Sequence, residues 1–317
     1  MRPLITGATG FVGRALVARL GADGVACKVA VRRRALFPSD VTQAETGEIG
    51  PATRWVDALS GVDVVVHLAA RVHVMQETAS DPLADFRRVN VQGTLQLARA
   101  AARSGARRFV YLSSVKVNGE HTSVGKPFRV DDEPRPADAY AVSKMEAEAG
   151  LRMLARETGL EVVIIRPPLV YGPGVKANFA TMMRWLARGV PLPLGSLRNQ
   201  RSLVALDNLV DLIVVCMGHP AAANRTFMAS DGDDLSTTEL LQRLGVALGK
   251  PARLLPVPPA VLKAGAALAG RSDMARRLCD SLQVDIQNTR NVLGWTPPTS
   301  VDEGLRRVAL SHLDPTA

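Results

Sequence analysis

Short runs of β-branched residues alternate with amphipathic stretches through the first half of the chain. Leu4–Thr6, Val25–Val31, Val62–Leu68, Arg108–Ser113 and Glu161–Arg166 are rich in Val, Ile and Leu, with few polar interruptions. Strands that are apolar on both faces belong in a parallel sheet covered by helices. Between them, Phe11–Leu20 reads as a helix. Pro82–Ser104 sets Leu83, Phe86, Val89, Gly93, Leu97 and Ala100 along one helical face. The alternation predicts an α/β fold, a Rossmann-type doubly wound parallel sheet.

The pattern changes after about Gly172. Prolines gather at 191 and 193 and again at 256, 258 and 259, and shorter helical pieces replace the regular alternation. We expect a nucleotide-binding domain over 1–170 and a smaller, mostly helical lobe over 171–317. Segments such as Arg225–Ala229 are expected to return to the main sheet.

Composition narrows the classes. With 317 residues, 47% hydrophobic and 22% charged, the chain can build a large core, which excludes disorder and fibrous repeats. A net charge of +9 calls for an anionic partner: nucleic acid, an acidic membrane surface or a phosphorylated small molecule. The apolar runs Val62–Ala70 and Leu209–Met217 are too short to span a bilayer, and the N-terminus enters a glycine motif with no room for a signal peptide. Cys27, Cys216 and Cys279 are isolated, without metal-like or redox-like spacing. A cytoplasmic protein without a metal is expected.

Three constellations carry candidate chemistry. Gly7-Ala8-Thr9-Gly10-Phe11-Val12-Gly13 lies between the first strand and the first helix, where glycines let a backbone approach a pyrophosphate and the helix N-terminus offers free N–H groups. The bland alternative is a glycine-rich turn. Second, Arg32, Arg33 and Arg34 follow the next strand, where an acid would hold a ribose 2′-hydroxyl and an arginine accommodates a 2′-phosphate. NADP(H) is therefore favoured, with NAD(H) as the alternative. Third, Tyr140 and Lys144 are four residues apart on a predicted helix, so the ammonium is expected to lower the phenol's pKa. Ser114, at the end of a strand, completes a reductase-type trio.

With these motifs in hand, the chain resembles the extended short-chain dehydrogenases/reductases, in the NAD-dependent epimerase/dehydratase branch that acts on nucleotide sugars. The resemblance also covers Gly47-Glu48-Ile49, His67-Leu68-Ala69-Ala70, the Asn90 segment, Arg166-Pro167-Pro168-Leu169-Val170-Tyr171-Gly172-Pro173 and Leu293-Gly294-Trp295-Thr296-Pro297. It implies adenine contacts at Glu48 and Ile49, and cofactor contacts at Leu68, Ala69, Ala70, Asn90, Pro167 and Val170. It places Asn178 and Phe179 on the nucleotide of a UDP-sugar, Arg201 on its diphosphate, and Ser114, Val115 and Lys116 beside the sugar.

Departures from the family's pattern matter too. Val115 and Lys116 stand where dehydratases keep an Asp-Glu pair, which disfavours dehydration. Asn118 replaces a usual Tyr and Ala205 a usual His, which cautions against an ordinary UDP-galactose 4-epimerase pocket.

The whole pattern is most similar to O-antigen-cluster reductases. The expected activity is reduction of UDP-2-acetamido-2,6-dideoxy-4-hexulose at C4, with a UDP-hexose 4-epimerase as the alternative and a non-catalytic NAD(P)-sensing protein as a distant one. Homodimerisation through Pro82–Ser104 and Ala139–Arg156 is implied by the resemblance. No nucleic-acid or membrane partner is expected. Aromatic residues are too few, at 4%, for a base-stacking platform, and pairs such as Arg87-Arg88 and Arg107-Arg108 read as solvated surface.

Overall fold

The computed structural model describes residues 1–72, 81–175 and 177–313. Its strands are β1 (Pro3–Thr6), β2 (Lys28–Val31), β3 (Thr42–Glu45), β4 (Val64–His67), β5 (Arg108–Leu112), β6 (Glu161–Arg166), β7 (Leu169–Tyr171), β8 (Leu203–Ala205) and β9 (Arg225–Met228). Its helices are α1 (Phe11–Ala22), α2 (Val56–Leu59), α3 (Pro82–Phe86), α4 (Thr94–Arg103), α5 (Ala139–Thr158), α6 (Ala177–Ala187), α7 (Leu206–Gly218), α8 (Thr237–Ala247), α9 (Pro259–Leu268), α10 (Ser272–Cys279), α11 (Gln287–Leu293) and α12 (Val301–Leu313).

Seven strands form one parallel sheet in the order β3-β2-β1-β4-β5-β6-β9. The chain winds outwards from β1 in one direction, then restarts at β4 and winds outwards in the other. The crevice at this reversal, beyond the carboxyl ends of β1 and β4, is where such sheets bind ligands. Every residue of β1, β2 and β4 is buried, because helices cover both faces. Ile5, Val29, Val66 and Val110 pack with α1 and α7 on one face. Leu4, Val65, Phe109 and Tyr111 pack with α4 and α5 on the other. Strand β9 joins beside β6, so the segment expected to return to the sheet does so.

A third core builds the smaller lobe from α6, α8 and α12 around the two-stranded β7-β8 sheet. Strand β3 has no signal in the hydrophobic pattern, since Thr42–Glu45 is polar and none of it is buried.

Two expectations change. The stretch 82–104 is not one regular helix: Arg87–Gly93 is wound as a π-helix between α3 and α4. Wide turns of this kind recur at functional sites, and Asn90 lies in this one. Arg108, expected on the solvated surface, is fully buried. Its Nη1 donates at 2.8 Å to Cys216 O and to His219 O, serving the carbonyl end of α7, while Nε donates at 2.7 Å to Glu161. The closing motif is structural as well, because buried Trp295 donates its indole N–H to Asp211 at 2.9 Å.

Candidate active site

The glycine loop is tight for a specific reason. Gly7 has φ +70°, and a side chain there would meet Ala69 N at 2.7 Å and Leu68 C at 2.9 Å. A side chain at Gly13 would meet Gly7 O at 2.2 Å. The loop therefore closes against the Leu68–Ala70 segment after β4, and α1 starts directly behind it. Helix α1 has no side-chain cap and no acid in its first turn, so its N-terminal N–H groups and positive dipole end face the crevice. This donor set fits a dinucleotide's pyrophosphate, with Gly10, Phe11 and Val12 at the mouth.

The wall beside it is made of buried polar side chains. His67 hydrogen-bonds Thr6 Oγ1 at 2.6 Å and Thr94 Oγ1 at 2.9 Å through its two ring nitrogens. Burial, with the nearby Lys144 charge, pushes its pKa down to about 3, so the ring is neutral. Asn90 accepts from Arg71 N at 2.8 Å and donates at 3.0 Å to both Arg71 O and Ser143 Oγ. Through that one amide, the segment after β4 is tied to α5.

Helix α5 is capped by Asp138, whose carboxylate accepts from Ala141 N at 2.7 Å. Tyr140, Lys144 and Glu148 then follow at four-residue steps on one face. Lys144 Nζ donates to Leu112 O at 2.8 Å, two residues before Ser114, and lies 4.5 Å from the centre of the Tyr111 ring and 5.8 Å from that of Tyr140. Lys116 Nζ reaches Asp138 at 2.5 Å and Glu120 at 3.0 Å. Two ties, Lys144 to Leu112 and Lys116 to Asp138, thus hold the Ser114 turn against the start of α5. Ser114 itself caps the short turn Val115–Val117, accepting from Lys116 N at 3.2 Å.

One electrostatic expectation is reversed. Burial, with a contribution from Asp138, pushes the Tyr140 phenol above its ordinary value. Burial also brings Lys144 down to about 7 against the opposing effect of Glu148, so at neutral pH it carries only part of the charge needed to lower the phenol. Burial likewise opposes the charge on Lys116, but its bonds to Asp138 and Glu120 outweigh that and hold it above the ordinary lysine value.

Under this layer is a network that sequence reasoning missed. Glu148, buried on the Tyr140 face, accepts from Arg166 Nε at 2.9 Å and Nη2 at 2.6 Å, from Ser113 Oγ at 2.6 Å and from Arg152 at 2.9 Å. Arg166 Nη1 continues to Asn118 Oδ1 at 3.0 Å. Burial opposes the charge on Glu148, yet the bonds from Arg166 and Ser113 keep its pKa below the usual value. The four-residue step from Tyr140 through Lys144 to Glu148 is the signal that was available. Asn118 and Ala205, which replace the usual Tyr and His, are 1% and 2% exposed, so they pack inside rather than line an open pocket.

The remaining candidates are spread more widely. Arg32 and Arg33 are exposed after β2, and Arg34 pairs with Glu45 at 3.1 Å. Glu48 is exposed and Ile49 half-buried, against Gly93. Pro167 is buried, its carbonyl accepting from Val115 N at 3.0 Å, and Val170 is half-buried. Val115 and Phe179 turn their side chains into the cores, Phe179 stacked on Tyr171 at 5.8 Å, which leaves only their backbones for a ligand. Asn178 lies in α6, with its side chain outside the described residues. Arg201 Nη1 donates to Arg277 O at 2.9 Å and Asp280 O at 3.0 Å, and burial lowers its pKa against the effect of Asp280.

A glycine loop at the sheet reversal, with Ser114, Tyr140 and Lys144 after the neighbouring strand β5 and on α5, is the arrangement expected of a nucleotide-cofactor enzyme. Residues 3–229 match the NAD dependent epimerase/dehydratase family, and the chain belongs to it. It is 48% identical over 311 residues to a UDP-glucose 4-epimerase of Vibrio cholerae, covering 98% of this chain and 95% of the relative. It is 33% identical to a UDP-glucose 4-epimerase of Mycolicibacterium smegmatis, covering 97% of each. Among solved structures, MoeE5 in complex with UDP-glucose and NAD superposes with a TM-score of 0.78 at 24% identity, covering all of both chains, which shows the shared fold.

Proposed function

We propose that the chain is an NAD-dependent 4-epimerase of a UDP-activated hexose. The observation that carries this reading is the 48% identity, across nearly the whole chain, to the Vibrio cholerae UDP-glucose 4-epimerase. It displaces the 4-ketoreductase expected from sequence as the first reading. The glycine loop and the α1 N-terminus hold the pyrophosphate, Leu68–Ala70, Asn90, Pro167 and Val170 flank the cofactor, and Arg201 faces the sugar diphosphate.

When bound, NAD would supply the acceptor for the C4 hydrogen and, in its oxidised form, a positive charge that favours the ionised phenol. Tyr140 takes the proton of the C4 hydroxyl as that oxygen becomes a carbonyl, and returns it when the alcohol re-forms. The Ser114 hydroxyl donates to the same oxygen, so developing charge meets a fixed dipole. Lys144, anchored on Leu112 O, adds cationic character below the phenol. Elimination lacks its acid/base pair, since Val115 carries no proton to move and Lys116 is engaged by Asp138 and Glu120.

A second reading, reduction of the UDP-4-keto-6-deoxy sugar, is favoured by one observation. Arg32 and Arg33 are exposed at the end of β2 with no acid directly after the strand, which suits the 2′-phosphate of an exchangeable NADPH. The test is purified protein with UDP-galactose and no added reductant. Formation of UDP-glucose, abolished in Tyr140→Phe, is expected. No interconversion, together with NADPH consumption on the keto sugar, replaces the first reading by the second.

A further inference from the structure

Helix α9 does not follow the burial pattern of the other long helices. Its ten residues, PAVLKAGAAL, include a single charge, yet none is buried. Leu262 and Ala266, one turn apart, are half-buried, and Leu262 packs at the margin of the small-lobe core with Leu278 and Cys279 of α10. The opposite stripe, Val261, Ala264 and Leu268 at helical spacing, is bare, with Val261 58% and Leu268 93% exposed. Leu255 before α9 and Met274 in α10 are also exposed. Single exposed apolar side chains are ordinary, but an apolar stripe along a whole helix marks a surface that is covered by something.

Charge indicates what covers it. Residues 250–280 carry six Lys or Arg against two Asp. Lys263 and Arg276 are neutralised by Asp280 and Asp273. Arg253, Arg271 and Arg277 are exposed and make no ion pair among the described residues. Apolar residues along one helix face flanked by unpaired cations fit an interface that is apolar below and anionic at its surface.

We propose that the α9–α10 hairpin docks on an anionic phospholipid surface. Val261, Ala264 and Leu268 enter the headgroup boundary, and Arg253, Arg271 and Arg277 meet the lipid phosphates. No helix among the described residues is long and apolar enough to cross a membrane, so the association is peripheral. This departs from the sequence-based expectation, which weighed an acidic membrane surface among the anionic partners and expected no membrane partner. The hairpin also adjoins the candidate substrate side, because Arg201 is anchored on the carbonyls of Arg277 and Asp280. Docking brings that edge of the lobe to the bilayer.

The experiment is co-sedimentation of the whole protein with phosphatidylcholine vesicles and with vesicles that also contain phosphatidylglycerol. Three forms are compared: the unchanged chain, Val261→Ser/Leu268→Ser and Arg253→Glu/Arg271→Glu. Binding only to the phosphatidylglycerol vesicles is expected, weakened by salt and reduced about 30-fold in the arginine variant. The serine variant is also expected to lose binding, while turnover of UDP-sugar in solution stays unchanged in both. No binding by the unchanged chain, or equal binding by all three, overturns the proposal. So does a fall in solution mass of the serine variant, which assigns the stripe to a second copy of the chain.

Discussion

The two sides of the site are built differently. Around Tyr140 and Lys144, three buried polar side chains have every polar atom bonded. Both ring nitrogens of His67 are bonded, Asn90 uses its oxygen once and its nitrogen twice, and both oxygens of Glu148 are taken up. On the small-lobe side, Arg201 is held by two backbone carbonyls, and α9 buries none of its residues. Satisfied buried networks fix geometry, because any shift leaves a desolvated group unpaired. The small lobe has closed sets of its own at Asn199 and Asp231, so the contrast is confined to α9 and its surroundings: under the proposed function, proton transfer sits on a fully bonded frame while the substrate side borders a helix that buries nothing.

The sharpest way to break that contrast is Tyr140→Phe, which removes the proposed proton-transfer group and nothing that holds the fold. A loss of roughly 10²–10⁴-fold in kcat is expected, with an unchanged unfolding curve. Glu148→Ala acts on the frame instead. It strands the Arg166 guanidinium in the interior and is expected to cost about 3–5 kcal/mol in urea unfolding, with much of this recovered in Glu148→Ala/Arg166→Met.

Smaller effects sharpen the comparison. His67 titrates at 6.5 when unfolded and near 3 when folded, so the unfolded chain binds more protons between those values and stability falls as pH drops through that window. Glu148 adds a loss of the same sign only below its ordinary 4.5. Between 6.5 and 4.5 His67 contributes at most about 1.4 kcal/mol per pH unit, opposed by Asp231, whose carboxyl is raised by burial above its ordinary value, and the His67 contribution disappears in His67→Asn. Smallest is Lys116→Ala. It leaves the Asp138 charge unbalanced beside the phenol and moves the acid limb of the kcat profile, where the phenol must lose its proton, up by about one pH unit, while Lys116→Arg leaves it in place.

Much of the frame is legible in the residues themselves. Gly7 and Gly13 mark the loop because no Cβ fits there, and continuous Val runs mark β4 and β6 because both faces are covered. What the pattern hides is set by long-range partners. Thr42–Glu45 becomes a strand only because β2 offers it an edge, and Arg108 is buried only because the carbonyl end of α7 receives it. The Arg87–Gly93 π-turn keeps helical spacing closely enough to read as ordinary helix. At the site, the spacing gives the Tyr140–Lys144 pair but not its electrostatics. Burial is a property of the assembled fold, and it raises the phenol and lowers the amine. Small-lobe specificity is the least legible part, since Phe179 carries the family's pattern while its side chain is spent on packing against Tyr171.

The most direct measurement follows the C4 hydrogen of the sugar. UDP-galactose deuterated at C4 is incubated with the purified protein, and the UDP-glucose formed is analysed by mass and by NMR. The account predicts deuterium retained at C4, with no reduced dinucleotide accumulating in solution. UDP-glucose that has lost the label, or no UDP-glucose while the keto sugar is reduced at the expense of NADPH, contradicts it.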